Sequence, residues 1–278
     1  QNGKTIRVLE DNKELKQKIK EANLSKKEFV QLKTSEGIEL NAWILKPQKM
    51  ESDKKYPVMF CIYGGPGSQE VLDRWDYNAL WYQHLASQGI IVVAVDNRGT
   101  GARGAEFRKC TYKNLGKYEA IDQIEAAKAL SKYNYIDTTR IGIWGWSFGG
   151  YLSTLCLEKG NQQFKLAIAV APVTNWRYYD SIYTERYNGL PQDNATGYDD
   201  NSPINHTKKI KGKYLLIHGT ADDNVHFQNS VELIKKLVEN NKDFQTMYYP
   251  NSNHGIYTGR NTRYHLFSKM TKFILENL

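Results

Sequence analysis

Hydrophobic positions along this chain fall into two alternating kinds of run. Val58 to Tyr63, Ile90 to Val95, Ile141 to Trp144, Leu166 to Ala171 and Tyr214 to His218 are short and almost continuously apolar. That is the pattern of strands covered on both faces of a parallel sheet, and Gln245 to Tyr249 predicts one more. Between them lie helix-like stretches: Trp75 to Ser87, Glu119 to Tyr133, Tyr151 to Glu158, Val231 to Val238 and Tyr264 to Leu278. In Glu119 to Tyr133 the inward face is predicted to carry Ile121, Ile124, Ala127 and Leu130. Upstream, Phe29 to Lys33 and Ile38 to Leu45 alternate as a hairpin around Ser35-Glu36-Gly37. Strand and helix alternate throughout. The expected fold class is therefore α/β, with a doubly wound, mostly parallel sheet, helices on both faces and right-handed crossovers.

Two segments break the rhythm. Residues 1–27 predict a Lys-rich helical connector with Leu15, Ile19 and Ala22 as a thin apolar stripe, leading into one domain over 28–278. Trp176 to Asn205 is aromatic and irregular and predicts a long loop. Loops of that length inside a compact domain usually carry function. No internal repeat or low-complexity stretch is present.

Composition narrows the picture modestly. With 278 residues, 24% charged and 40% hydrophobic, the chain suits one large globular α/β domain. No apolar run approaches the ~20 residues that span a bilayer. Gln1 opens a polar segment without a secretory leader, so a chain excised from something longer is expected. Net charge is +8, but the lysines of residues 13–27 interleave with acids and apolar residues, as on a solvated helix. No recognition motif accompanies them, so no nucleic-acid partner is expected. Cys61, Cys110 and Cys156 fit neither zinc spacing nor a disulfide framework, and Cys61 and Cys156 are expected as buried small hydrophobes. Neither a metal nor an organic cofactor is implied.

The chemistry starts at Gly145-Trp146-Ser147-Phe148-Gly149-Gly150-Tyr151, between a strand and a helix. A G-x-S-x-G turn in that setting is the nucleophile elbow of the α/β-hydrolase fold. Gly145 and Gly149 remove Cβ atoms that would collide as strand folds into helix, and the serine is pushed into a strained, exposed position. A serine hydroxyl needs a base in hydrogen-bond reach and a third group to orient that base. In this fold they follow in the order serine, acid, histidine. Asp222 and Asp223 follow the strand Tyr214 to His218, and His254 follows Gln245 to Tyr249. Carboxyl ends of parallel strands share one edge, so the three loops can converge.

Five other histidines compete. His84 and His265 fall on helices, His218 ends a buried strand, His206 lies in the irregular loop, and His226 is placed to cap the next helix. Strand and loop order favours His254. Spacing leaves Asp222 and Asp223 both open, and the unused one is expected to bond backbone amides at the next helix start. The oxyanion requires two donors. One is the backbone N–H of Phe148; the other comes from Tyr63-Gly64-Gly65-Pro66-Gly67, where the Tyr63 hydroxyl is the candidate. Taken alone, the aromatic cluster at 176–187 is either a pocket wall or loop packing.

These residues carry a resemblance. The elbow, Ala169-Val170-Ala171-Pro172-Val173, Tyr179-Asp180-Ser181-Ile182-Tyr183-Thr184-Glu185-Arg186-Tyr187 and His218-Gly219-Thr220-Ala221-Asp222-Asp223-Asn224-Val225-His226-Phe227 are long composite motifs. With them the chain, over nearly its whole length, resembles the C-terminal catalytic domain of the dipeptidyl peptidase IV-like enzymes of the prolyl oligopeptidase family. Even Arg7-Val8-Leu9-Glu10-Asp11-Asn12 is similar to the segment leaving that family's β-propeller. The resemblance implies Ser147 as nucleophile, Asp222 as orienting acid and His254 as base, with Tyr63 and Phe148 as oxyanion donors. It implies that Tyr151, Val173, Trp176, Tyr179, Tyr183 and Val225 wall the pocket for the residue before the scissile bond, a box suited to Pro or Ala. Asn224 would hold the carbonyl of the substrate's first residue.

By the same resemblance the substrates are peptides with Pro or Ala at the second position, and the location is extracytoplasmic, at the periplasm or cell surface. The partners are an N-terminal β-propeller of the parent chain and a second copy in a homodimer partly built on the last helix. Phe148 departs from the family, which usually has Tyr there; the amide is kept and a phenolic contact is lost. The propeller, whose paired glutamates grip the substrate amine in the family, is also missing from these residues. An acylaminoacyl-peptidase or carboxylesterase would share fold and triad. A catalytically silent binding domain is the remaining alternative, since fold does not guarantee chemistry.

Overall fold

The structure is a computed structural model and describes residues 3–160 and 162–278. Helix α1 (Lys13–Ala22) buries none of its residues. The hairpin of β1 (Lys27–Lys33) and β2 (Glu39–Leu45) closes as expected, with Thr34 N–H donating to Ile38 O at 2.9 Å and Thr34 Oγ1 accepting from Ile38 N at 3.0 Å. The chain then runs β3 (Tyr56–Ile62), α2 (Ala79–Ser87), β4 (Ile91–Asp96), α3 (Gly104–Lys109), α4 (Lys117–Leu130), β5 (Ile136–Trp146) and α5 (Phe148–Lys159). It continues through β6 (Leu166–Val170), α6 (Ser181–Asn188), α7 (Ala195–Asp199), β7 (Lys213–Gly219), α8 (Gln228–Glu239), β8 (Gln245–Tyr249) and α9 (Thr262–Asn277).

The eight strands form one sheet in the order β1-β2-β4-β3-β5-β6-β7-β8. β2 is antiparallel to β4, and every pair from β4 to β8 is parallel. This is the α/β-hydrolase fold. Alternation of side chains along each strand divides the interior in two. Val58, Phe60 and Ile62 face one core with Leu152 and Leu155 of α5 and Leu233 of α8. Met59 and Cys61 face the other, with Leu85 of α2 and Leu266, Met270 and Phe273 of α9. β4 and β6 are buried at every position, which explains their unbroken apolar runs.

Three expectations are corrected. Helix α2 starts at Ala79 rather than Trp75, because Asp76 turns the chain by accepting the Asn78 amide at 2.7 Å. The short helix α3 was not anticipated. Residues 176–205 are not a structureless loop: they hold a 3-10 turn (Trp176–Tyr178), α6, α7 and a second 3-10 turn (Pro203–Asn205). Asn175 accepts the Arg177 amide at 2.9 Å and Asp180 the Tyr183 amide at 2.8 Å, so side-chain caps start two of these elements.

The inward face of α4 also differs. Glu119, Asp122 and Gln123 are fully buried, while Ile121 and Ile124 are only partly covered. Glu119 accepts the Gly116 amide at the start of its own helix at 3.0 Å, while Asp122 and Gln123 hold a loop. Asp122 takes the Arg98 amide at 2.7 Å and its guanidinium at 2.6 Å. Gln123 Nε2 donates to Asn97 Oδ1 at 2.9 Å, and Asn97 Nδ2 donates to Gly64 O at 3.0 Å. Asp96 accepts the amides of Glu70 and Val71. The segment after β4 thus braces the segment after β3, where Tyr63 sits. Replacing Asn97 with Ala takes the Asn97 partner from the buried Gln123 Nε2, which keeps its bond to Val95 O, and from the Gly64 carbonyl. Urea denaturation is expected to show a loss of roughly 1–3 kcal/mol.

Candidate active site

Ser147 joins β5 to α5 with φ 58 and ψ −117, a left-handed conformation that non-glycine residues avoid. The strain is held from both sides: its amide donates to Val170 O at 2.8 Å and its carbonyl accepts from Tyr151 N at 3.0 Å. Space decides the flanking residues. A Cβ on Gly145 would run into the Gly149 backbone, and one on Gly149 into the carbonyl of Ile62. Phe148 is the first residue of α5, so its amide has no acceptor within the helix. The Tyr63 and Phe148 rings lie 6.0 Å apart. Burial and the charge of Glu70 push the Tyr63 phenol up, so it remains a hydrogen donor at neutral pH.

β5, β7 and β8 present their carboxyl ends on one edge, and Ser147, Asp222 and His254 follow them in turn. Asp222 Oδ2 accepts from His254 Nδ1 at 2.8 Å, and the Asp222 side chain has no solvent exposure. Asp223, by contrast, is exposed. The amide-binding task expected of whichever acid was unused belongs to Asp222 itself. Its Oδ1 accepts from Asn224 N at 3.0 Å and Val225 N at 2.9 Å. The His226 side chain is exposed, and its carbonyl rather than its ring accepts the Asn229 amide. Trp146 Nε1 donates to the His254 carbonyl at 2.9 Å, which ties the residue beside the serine to the histidine loop. Among the described residues the Ser147 hydroxyl makes no side-chain hydrogen bond.

Burial by itself would raise the Asp222 carboxyl. Hydrogen bonds from His218 and His254, the charge His254 can carry and the Asn224 amide outweigh it and hold the acid well below its ordinary value of 3.8. It therefore stays ionised at neutral pH.

Beside this edge the aromatic side chains form one contiguous cluster. Centroid distances are 5.3 Å for Phe148–Tyr151, 5.1 Å for Tyr151–Trp176, 5.8 Å for Trp176–Tyr183, 5.3 Å for Tyr179–Tyr183 and 4.8 Å for Tyr183–Tyr187. Tyr179 and Tyr183 are partly exposed, while Tyr151, Val173, Trp176 and Val225 are buried behind them. The Tyr151 hydroxyl donates to Leu115 O at 2.9 Å. The Tyr179 hydroxyl donates to Asn224 Oδ1 at 2.7 Å, which leaves the Nδ2 hydrogens as the remaining donors of that side chain. Next to this pair opens a cavity of about 730 Å³ lined by Tyr179, Asp180, Asp223, Asn224 and His226.

Sequence reasoning missed the Trp146 and His218 contacts and the ring of Tyr187. Tyr183 and Tyr187, four residues apart on α6, were a helical signal that was available. Among the described residues no group of three or more His, Cys, Asp or Glu could hold a metal ion, and no helix is long and apolar enough to cross a membrane.

A sequence model of the prolyl oligopeptidase family matches residues 75–278. The prolyl endopeptidase FAP of Bos taurus is 46% identical over 275 residues, covering 98% of this chain and 36% of that protein. Dipeptidyl peptidase 4 of Felis catus is 42% identical over 283 residues, covering 99% of this chain and 36% of that protein. The crystal structure of Porphyromonas gingivalis dipeptidyl peptidase 4 superposes with a TM-score of 0.95 at 48% identity, over 98% of this chain and 38% of that one. The chain thus spans little more than a third of the length of the relatives it matches.

The depressed acid sets a pH dependence. As pH falls, the unfolded chain binds a proton at this carboxyl before the folded one does, so the stabilisation from Asp222 is complete above its ordinary value and is lost below it. Urea denaturation across pH is expected to show the gap between the unsubstituted chain and Asp222→Ala widest above about pH 4 and narrowing on further acidification.

Proposed function

The chain belongs to the prolyl oligopeptidase family, and on that premise we propose that it is the catalytic unit of a serine peptidase releasing N-terminal X-Pro and X-Ala dipeptides. The observation that carries this reading is the Asp222–His254 bond on the sheet edge where the strained Ser147 turn also ends.

The reaction follows from those groups. His254 takes the proton of Ser147 Oγ as the oxygen attacks the carbonyl carbon of the Pro or Ala residue. The tetrahedral oxyanion is stabilised by the Tyr63 hydroxyl and the Phe148 amide. His254 returns the proton to the departing amine, and water then hydrolyses the dipeptidyl ester by the same route. Asp222 keeps the imidazole oriented and stabilises its charged form. Trp176, Tyr179 and Tyr183, backed by Tyr151, Val173 and Val225, make a shallow aromatic box for a pyrrolidine or a methyl group. Asn224, with its oxygen occupied by Tyr179, offers its amide hydrogens to the carbonyl of the first residue.

Grip on the free amine is assigned to an N-terminal β-propeller outside these residues, with 1–27 as its connector; that α1 buries none of its residues is in keeping with that role. A homodimer and an extracytoplasmic location are part of the same proposal.

The test compares chromogenic X-Pro substrates with free and blocked amines, and a short-chain ester, on this chain and on the full-length protein. The full-length protein should favour free-amine X-Pro strongly, and this chain should be slow and indifferent to blocking. Ser147→Ala should abolish turnover in both. Equal turnover of blocked and free substrates by the full-length protein would refute the dipeptidyl specificity. An ester faster than every peptide would favour a carboxylesterase.

A further inference from the structure

Asp222 touches two imidazoles, and the reaction proposed above uses only one. The other belongs to His218, fully buried at the end of β7. Its Nε2 lies 2.8 Å from the Val225 carbonyl and 3.1 Å from Asp222 Oδ2, and its Nδ1 lies 2.7 Å from Ser230 Oγ on α8. A carbonyl oxygen can only accept, so the ring carries a proton on Nε2, and the Ser230 hydroxyl satisfies Nδ1 by donating to it. The Phe227 ring packs edge-on against this imidazole at 5.6 Å.

His254 bonds the same carboxylate oxygen, Oδ2, at 2.8 Å, while Oδ1 is taken by the amides of Asn224 and Val225. A carboxylate oxygen has two lone pairs in its plane. With both oxygens doubly engaged, the group cannot turn about its Cβ–Cγ bond without breaking a bond inside a dry site. Without His218, one lone pair of Oδ2 is unopposed, and only the two amides on Oδ1 are left to set the direction from which Oδ2 meets His254. Orientation of the orienting acid then becomes the weak point of the relay.

We propose that His218 is a positioning residue for the serine-peptidase reaction: with its Nε2 proton fixed by the Val225 carbonyl and its Nδ1 satisfied by Ser230, it shares that Nε2–H between Val225 O and Asp222 Oδ2 and helps hold Oδ2 in line with His254. The assignment rests on the triad proposed above. His218 transfers no proton and touches no substrate; it acts through Asp222.

The test uses His218→Leu, His218→Gln and Ser230→Ala, measuring hydrolysis of a p-nitrophenyl ester, fluorophosphonate labelling of Ser147, and the low-field proton resonance of the His254–Asp222 bond. Gln places an amide donor near the lost Nε2; Leu offers none. The leucine variant should lose about 10- to 100-fold in kcat with KM within about twofold, the range seen when outer partners of metal-ligating histidines are removed. The glutamine variant should recover most of that loss. Ser230→Ala should give a smaller loss in kcat of the same kind. The resonance should move in the leucine variant and stay in place in the glutamine one. Should the leucine variant not fold, Ser230→Ala carries the test, and unchanged kcat and resonance there would overturn the proposal. A folded leucine variant with unaltered kcat and resonance, or a glutamine variant as impaired as leucine, would overturn it too. An unsubstituted chain that fluorophosphonate does not label at Ser147 would instead sink the triad reading, and this inference with it.

Discussion

A negative charge shut away from water at Asp222 governs the arrangement of the site. Burial disfavours an ionised carboxyl, so the fold must surround it with donors. It does so with two backbone amides and two imidazoles. Each donor fixes something else. The amides lock the turn after β7, His218 ties that turn to α8 through Ser230, and His254 draws in the loop after β8. Trp146 then carries the constraint across to the serine turn through the His254 carbonyl. One desolvated charge thereby couples three loops from separate strands.

The second half of the site is apolar and depends on close approach. Phe148 serves it twice, through a free amide at the head of α5 and through a ring packed between Tyr63 and Trp176. Tyr63 is in turn held by a polar ladder running from α4 through Asn97 to the Gly64 carbonyl. The loop of Tyr63, the proposed oxyanion donor, therefore rests on a buried polar face of a helix. Such supports allow a strained serine to persist without loosening its surroundings.

How much of this was legible differs from element to element. β4 and β6 were plain because strands buried on both faces leave unbroken apolar runs. The α4 face was misjudged because Asp122 and Gln123 are buried by virtue of their partners, and hydropathy has no access to partners. Helix α6 was taken for loop because it is short and its aromatic density masks the four-residue spacing that Tyr183 and Tyr187 keep. Spacing could not separate Asp222 from Asp223, since neighbouring side chains on a turn point to opposite sides; the family motif did imply Asp222. His218 went unassigned because a buried strand end looks like packing until its partners, four and twelve residues away along the chain, are seen together.

Ser147, Asp222 and His254 are proposed to act as one relay served by the Tyr63 hydroxyl and the Phe148 amide. A crystal structure of the chain after reaction with diisopropyl fluorophosphate tests it directly. The expected result is phosphorus bonded to Ser147 Oγ, the phosphoryl oxygen in hydrogen-bond contact with both donors, and the His254 ring still bonded to Asp222. Phosphorus on any other residue, or a phosphoryl oxygen turned away from Tyr63 and Phe148, would contradict it.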